Sequence, residues 1–358
     1  CTLWYRGPVM TNGAHNKAIL EPLLRAMQDF EAPQVQSLLQ ELMAHDAVAH
    51  MCLPFNDVTG PTALYETCYQ PLLRAMPDLE RRDFIILASS SSEGHEWLGC
   101  AGHYVGTFVA PWLDIPPTGH MTHMRLHEFY RFEKGKIVEI QAIWDIPEVM
   151  LQARAWPLAP SLGWEGFIPS PASQDGLCIE DKFEGQGQAN ADLVIDMLQH
   201  LVRHPAEGGP AVMQLERFWH PRMNWYGPGG IGTTRGIAGF RNWHQIPFLK
   251  AMPDRGQQTQ GVASHLFGEG QYVAVTGWPN MRQTLTHDGW LGIAPAGQEV
   301  SLRSLDFWRV ERGLIRENWV LIDLLDVYRQ LGIDVFARLR EFNKAHSVTH
   351  ITPFVLET

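Results

Sequence analysis

The sequence predicts an α+β fold that occurs twice, end to end. Three observations carry this. An ordered series of segments recurs along the chain, helical periodicity precedes strand-like alternation within each copy, and a stretch rich in Pro, Gly, Ser and Gln separates the copies. The recurrence is the strongest of the three. Arg125, Glu128, Phe129, Arg131, Glu133, Gly135 and Ile137 stand in register with Arg303, Asp306, Phe307, Arg309, Glu311, Gly313 and Ile315. That register runs without a gap from Gly119/Gly297 to Asp145/Asp323, a constant offset of 178 residues (323 − 145). Upstream, Trp112-Leu-Asp-Ile-Pro-Pro-Thr-Gly119 matches Trp290-Leu-Gly-Ile-Ala-Pro-Ala-Gly297, and Pro71-Leu-Leu-Arg-Ala-Met-Pro77-Asp78 matches Pro247-Phe-Leu-Lys-Ala-Met-Pro253-Asp254. Solenoid repeats run about 20 to 50 residues, so this longer period means two whole domains. We place the first at residues 1–155 and the second at 189–345. Residues 156–188, with Pro157, Pro160, Pro169, Pro171, Gly185 and Gly187, form a linker expected to drape over a domain.

Each copy opens with helices. Ile19, Leu20, Leu23, Leu24 and Met27 recur at helical spacing, as do Leu193, Met197, Leu198 and Leu201. A further helix follows Gly60-Pro61 and Gly236 and ends before Pro77 and Pro253. Strands make up the rest: short apolar runs at Phe84–Leu87 and Tyr272–Val275, then long strands over 120–133 and 298–311. Lys134-Gly135 and Arg312-Gly313 turn each long strand into a last one ending at Asp145 or Asp323. The expected sheet is antiparallel and strongly bent, with helices across its open side. Alternation puts Glu139, Gln141, Ile143 and Asp145 on one face, and Glu317, Trp319, Leu321 and Asp323 on the matching one. The central Trp319 favours these as the inward sets.

Composition narrows the function. Of 358 residues 45% are apolar, and 13 Trp with 16 Phe predict large buried aromatic surfaces. A net charge of −11 speaks against a nucleic-acid partner and against anionic membranes. No apolar run approaches the roughly 20 residues that span a bilayer, and Cys1-Thr2-Leu3-Trp4-Tyr5-Arg6 lacks the apolar core of a signal peptide. Five scattered cysteines without a C-x-x-C pair suit free thiols in the cytoplasm rather than a disulfide framework or a thiolate zinc site.

The run Phe-x-Arg-x-Glu-x-Gly-x-Ile-x-Glu ending in Asp resembles the C-terminal hairpin of SnoaL-like polyketide cyclases, members of the nuclear-transport-factor-2-like superfamily. The helix ending in Ala-Met-Pro-Asp and Gly102-His103-Tyr104-x-Gly106-x-Phe108 are similar to that family too. The resemblance covers nearly all of both copies and implies two tandem cone-shaped α+β barrels, each enclosing an apolar pocket. Its members include aldol-type cyclases, ketosteroid isomerases, dehydratases and non-catalytic binding domains. The resemblance thus implies cofactor-free acid–base chemistry on a hydrophobic small molecule, an aldol-type cyclisation, isomerisation or lyase reaction. It assigns the acid/base role to Asp145 and Asp323. The family's last-strand Trp is present as Trp319, whereas its counterpart is Gln141, which sets the first copy apart. The alternative is a binding or scaffold module. In either case the second copy completes the face that single-domain relatives use to dimerise, giving an intramolecular pseudo-dimer, with a homodimer also open.

A carboxylate in an apolar pocket is desolvated, and its pKa rises toward the range useful for proton transfer. The other reading of Asp145 and Asp323 is local, since each precedes a short helix and would cap it. Both stay open on sequence. His127, which titrates near neutrality, is a further proton-transfer candidate confined to the first copy, its counterpart being Leu305. His123, His127 and His120 are split by strand geometry with no completing carboxylate, so no metal is expected. Polar-tipped aromatics and facing polar residues complete the candidate ligand contacts: His103, Tyr104, Trp112, His123, Glu128 and Gln141 in the first copy, and Tyr226, Trp243, Trp278, Trp290, Asp306, Trp308 and Trp319 in the second. Arg131 and Arg309 are read as cross-strand partners of acidic neighbours. Gly227-Pro-Gly229-Gly230-Ile-Gly232 lacks the Lys-Ser/Thr of a phosphate loop and reads as a plain loop at a pocket rim.

Overall fold

The computed structural model describes residues 12–347 apart from residues 167, 289 and 296, so Cys1 to Arg6 lie outside the described residues. In the first half, helices α1 (Asn12–Ala26) and α2 (Ala32–Leu42) lead into strands β1 (Met43–Met51) and β2 (Asp57–Thr59). Helix α3 (Pro61–Leu64) runs through a π-helical turn, Tyr65–Tyr69, into α4 (Gln70–Ala75). Strands β3 (Glu80–Ser90), β4 (Glu96–Thr107), β5 (Met121–Glu133) and β6 (Lys136–Trp144) follow, closed by α5 (Ile146–Gln152). They form a six-stranded sheet in the order β2-β1-β6-β5-β4-β3.

The second half repeats the plan. Helices α6 (Gln186–Leu201) and α7 (Leu215–Phe218) precede β7 (Trp219–Tyr226) and β8 (Thr233–Arg235). Helix α8 (Gly236–Phe240), a π-helical turn at Arg241–Gln245 and α9 (Ile246–Ala251) come next. Strands β9 (His265–Glu269), β10 (Tyr272–Thr276), β11 (Met281–Leu285), β12 (Gln298–Leu302), β13 (Ser304–Glu311) and β14 (Leu314–Ile322) lead to α10 (Leu324–Gln330) and α11 (Val335–Ser347). The sheet order is β8-β7-β14-β13-β10-β9, with β11 and β12 as a separate two-stranded ribbon.

Two expectations need correction. The sheets are mixed rather than wholly antiparallel, because β1 runs parallel to β6 and β7 parallel to β14. Most of a domain separates those partners, so no hairpin dictates their direction. The strand expected over 298–311 is broken at Arg303. There the Asn280 amide donates to Ser304 O at 2.7 Å and accepts from Ser304 N at 3.0 Å, taking over ladder bonds. Arg303 itself turns to Asp323 at 3.1 Å and lies 4.7 Å over the Trp278 ring.

The two sheets pack back to back. Phe129 of β5 stacks on Phe307 of β13, with centroids 5.1 Å apart, and meets Phe267 of β9 edge-on at 6.0 Å. Arg125, 0% exposed, donates to Tyr226 O, Gly227 O and Val320 O at 2.7–2.9 Å. The linker touches both halves: Trp164 exchanges backbone hydrogen bonds of 2.8 Å with Thr233, and Gly176 O accepts from Ile86 N at 2.8 Å. The sheets approach so closely at Gly99 that a Cβ there would lie 2.8 Å from the Phe129 ring and 3.0 Å from the Phe307 ring. Gly99→Ala is therefore expected to cost about 1–3 kcal/mol in denaturant unfolding, the usual penalty of overpacking.

Candidate active site

Helices decide which side of each sheet is the inside of the cone. In the first domain the Tyr69 ring, on the π-helical turn, lies 5.5 Å from Trp144 and 6.5 Å from Tyr104. In the second, Phe240, His244 and Phe248 face Asp306, Trp308, Asn318 and Val320 around one cavity. The inward set is therefore the even-numbered one. The expectation that Glu317, Trp319, Leu321 and Asp323 face inward is overturned: the Trp319 ring lies 6.0 Å from Phe84 of the first domain, and its Nε1 donates to Pro169 O at 3.1 Å. A large apolar residue marks the inside only when the sheet's other face is wet, and here both faces are buried.

At the heart of the first cone is an ion pair. Arg81, 0% exposed, donates to Glu128 at 2.5 Å, and Glu128 also accepts from Tyr130 at 2.5 Å, Trp144 Nε1 at 2.8 Å and Tyr104 at 3.0 Å. Asp83 holds the other side of the guanidinium at 2.9 Å. Burial alone pushes the Glu128 carboxyl up, but Arg81 and the hydrogen bonds from Tyr130 and Trp144 outweigh it and hold the group below the usual glutamate range. Such a carboxylate has its acceptor capacity spent on the protein.

The second cone keeps the acid and loses its partners. Asp306, Trp308 and Ile322 occupy the positions of Glu128, Tyr130 and Trp144, so two of the donors are gone. Asp306 accepts only Ser304 Oγ, at 2.7 Å, among the hydrogen bonds formed by the described residues. It lines a cavity of about 50 Å³ with Trp219, Trp225, His244, Phe248, Arg255, Trp308 and Asn318. Burial drives the Asp306 carboxyl up to about 7, against the pull of Ser304 and Arg255. Burial also lowers His244 to about 3, leaving a neutral imidazole stacked 3.8 Å from Trp225, and lowers Arg255 to about 10, still a cation at neutral pH.

Five buried polar atoms around this cavity have no partner among the described residues: Trp219 Nε1, Trp308 Nε1, His244 Nδ1, Gln245 Oε1 and Arg255 Nη1. Each unmade hydrogen bond costs about 1–3 kcal/mol, so these groups favour a polar occupant, water or ligand, in the cavity. Trp219, Trp308 and Arg255 offer hydrogen-bond donors, and Gln245 Oε1 an acceptor, in the cavity that also holds a carboxyl poised near neutrality.

The remaining candidates lie elsewhere. Asp145 caps α5 through Glu148 N at 3.2 Å and reaches across to Gly229 N at 2.9 Å. Asp323 caps α10 through Asp326 N at 3.3 Å and reaches across to Leu53 N at 3.1 Å. Leu53 and Gly229 stand at equivalent positions, because β1 pairs His50 with Gln141 as β7 pairs Tyr226 with Trp319. The two aspartates are reciprocal clasps between the domains, as a two-fold-related pair would be. His127, another interface residue, hydrogen-bonds Leu305 O at 2.6 Å, and Gln141 accepts from Thr276 at 2.5 Å. His103 lies 5.5 Å from Phe84, His123 contacts Gln152 at 3.1 Å, and Tyr226 donates to Glu317 at 3.3 Å, all on this side of the sheets. Trp278 stacks 6.1 Å from His50 of the first domain. Trp112 is buried beside Phe55, Trp290 is buried beside Phe248, and Trp243 is 55% exposed. Asp323→Ala is expected to lower unfolding stability by about 1–2 kcal/mol through loss of its cap, measured by denaturant titration.

Sequence reasoning missed Arg81, Arg255 and Asn318 as cone residues. Asn318 was within reach, since alternation from Asp306 across the paired strands leads to it. The two arginines lie outside the repeated hairpin and carried no local signal.

This geometry defines the class, a cone-shaped α+β domain present twice with its sheets back to back. The model of the SnoaL-like polyketide cyclase family matches residues 21–153 and 209–331, well over half of the chain, and the chain belongs to that family in tandem form. Among solved structures, AclR from Streptomyces galilaeus aligns at 19% identity over 40% of this chain and 87% of its own, with a TM-score of 0.34. IdmH from Streptomyces antibioticus aligns at 20% identity over 39% and 97%, with a TM-score of 0.32. A SnoaL-like polyketide cyclase from Agrobacterium tumefaciens aligns at 18% identity over 38% and 96%, with a TM-score of 0.31. No curated protein matches the chain. Among the described residues no helix is long and apolar enough to cross a membrane.

Proposed function

We propose that the second cone takes in the reacting end of the substrate in a cofactor-independent acid–base enzyme acting on a hydrophobic small molecule with an acidic C–H beside a carbonyl, the cavity of about 50 Å³ having room for that end and not for the whole molecule. Asp306 is its proton-transfer group. The ionised carboxylate takes the proton from carbon, the electron pair moves onto the carbonyl oxygen, and the resulting enolate accepts hydrogen bonds from Trp308, Trp219 or Arg255. In a β,γ-unsaturated ketone, return of the proton from Asp306 to the γ carbon gives isomerisation; where a second carbonyl is in reach, attack of the enolate carbon on it, with the Asp306 proton passing to the new alkoxide, gives aldol-type cyclisation. The observation that supports this reading is the contrast between the cones: five unpartnered polar atoms surround the acid in one, and the acid's oxygens are fully claimed in the other.

In this reading the first domain is the built-in partner that a single-domain relative would recruit by dimerising, and Asp145, Asp323 and His127 hold the two domains together. The unpaired, buried Cys52, Cys68 and Cys100 fit a reducing, cytoplasmic setting. The test is exchange of α-protons of ketones into deuterated water, followed by proton NMR. A base with its pKa at about 7 predicts an exchange rate that climbs as pH rises through neutrality and levels off above it. Failure to exchange any ketone that demonstrably binds would favour the binding-module alternative.

A further inference from the structure

The second cone holds a cation without a counter-charge. Arg255 stands in the turn after α9, its backbone N–H donating to Met252 O at 3.4 Å and its guanidinium 5.4 Å from the centre of the Phe248 ring. The residue is half-buried, and its Nη1 is cut off from solvent. Among the described residues the guanidinium forms no hydrogen bond and no ion pair. Asp254, its neighbour in sequence, spends its carboxylate on Thr284 N, Thr284 Oγ1 and Gln258 Nε2 at 2.7–2.9 Å. Asp306 alone is acidic among the described residues lining the cavity, and it bonds Ser304 rather than the cation. The first cone treats its guanidinium differently: Arg81 lies between Asp83 at 2.9 Å and Glu128 at 2.5 Å.

We propose that Arg255 anchors an ionised carboxylate, so that the substrate of the second cone is an oxo acid. A cation drawn out of water is costly unless an anion compensates it, and the protein supplies none at this guanidinium. A carboxylate fits the guanidinium fork through two parallel N–H bonds, which a single ketone oxygen does not. Electrostatics point the same way. With Asp306 protonated and His244 neutral, the cavity carries the Arg255 charge alone and favours an anionic end group over a neutral one. Position completes the case. Arg255 and Asp306 line the same cavity of about 50 Å³ without touching, so one small occupant lies within reach of both. That volume confines the carboxylate, the carbonyl and the acidic carbon to neighbouring atoms. With Arg255 on the carboxylate, the indole N–H of Trp219 or Trp308 is left for the enolate oxygen. That the carboxylate belongs to an oxo acid rests on the acid–base reading, whereas its capture by Arg255 does not.

The experiment is an NMR titration of the full chain with pyruvate, a small oxo acid with an acidic C–H, and with pyruvamide as the uncharged probe of the same shape. The parent protein is expected to bind pyruvate at least about 10-fold more tightly than pyruvamide, a comparison that needs no substitution. Arg255→Gln should weaken pyruvate binding by about 10- to 100-fold, the loss of a charge-assisted pair, and change pyruvamide binding by less than about 2-fold. Arg255→Lys, which keeps the charge and loses the fork, should recover part of the pyruvate affinity. Asp306→Asn should eliminate exchange of the pyruvate methyl protons yet leave pyruvate bound, which separates this inference from the catalytic one. Pyruvate affinity no higher than that of pyruvamide in the parent, or unchanged in Arg255→Gln, overturns the anchor even if other ketones exchange.

Discussion

Asp306→Asn is expected to lower turnover by about 10²- to 10⁴-fold, the usual contribution of a positioned acid or base, while the protein stays folded. The same substitution should make the protein more stable at alkaline pH. An unfolded aspartate titrates near 3.9, and burial raises Asp306 to about 7 in the fold. A group raised in this way contributes stability that is complete below about pH 4 and is lost as pH rises through about 7. Above that, the folded protein carries a poorly solvated carboxylate that Asn removes. Urea titration should show a gain on the order of 2 kcal/mol at pH 8.5, allowing for partial access to solvent, and little change at pH 4. Lost activity together with gained stability is the signature of a residue kept for chemistry rather than for packing.

Glu128→Ala should have the opposite character. It leaves Arg81, which is 0% exposed, with Asp83 as its remaining carboxylate partner, and removes the acceptor of Tyr104, Tyr130 and Trp144 at once. Breaking one side of a buried ion pair costs about 3–5 kcal/mol, so urea unfolding at pH 7 should shift by that amount. Replacing Arg81, Asp83 and Glu128 together by Met, Asn and Leu should recover much of it, because neither carboxylate nor guanidinium is then left uncompensated. The pH dependence runs the other way from Asp306. The Glu128 carboxyl is depressed in the fold, so its contribution is present above the unfolded glutamate range and is lost as pH falls through the lower folded value. Under the proposed function, ketone exchange per folded molecule stays unchanged in these variants.

The duplication, the helix-then-sheet order and the family were legible because the 178-residue register passes through turn and charge positions that local chemistry fixes. Gly135 and Gly313 sit at φ +75°, a conformation glycine adopts readily, and so mark the same turn in each copy. Arg131 and Arg309 likewise pair with Glu139 and Glu317 at 2.8 Å and 2.6 Å. What alternation alone could not give was the inside of the cone. With sheets back to back, the odd-numbered face of β6 and β14 is as buried as the even one, and Trp319 is an interface residue with the profile of a core residue. Asp145 and Asp323 recurred because the interface recurs, each clasping the other domain. The acid that recurs inside the cones is the Glu128/Asp306 pair, and its divergence in partners, not its presence, separates the two domains. That divergence depends on Arg81 and Arg255, which tertiary packing brings in from beyond the repeated hairpin.

The most direct test is a carboxyl carbon-13 NMR titration of Asp306 and Glu128 in one sample between pH 3 and pH 9. The account predicts that the Asp306 signal moves with a midpoint near pH 7, while Glu128 stays ionised until well into the acid range. An Asp306 midpoint near pH 4, or a neutral Glu128 at pH 7, would contradict it.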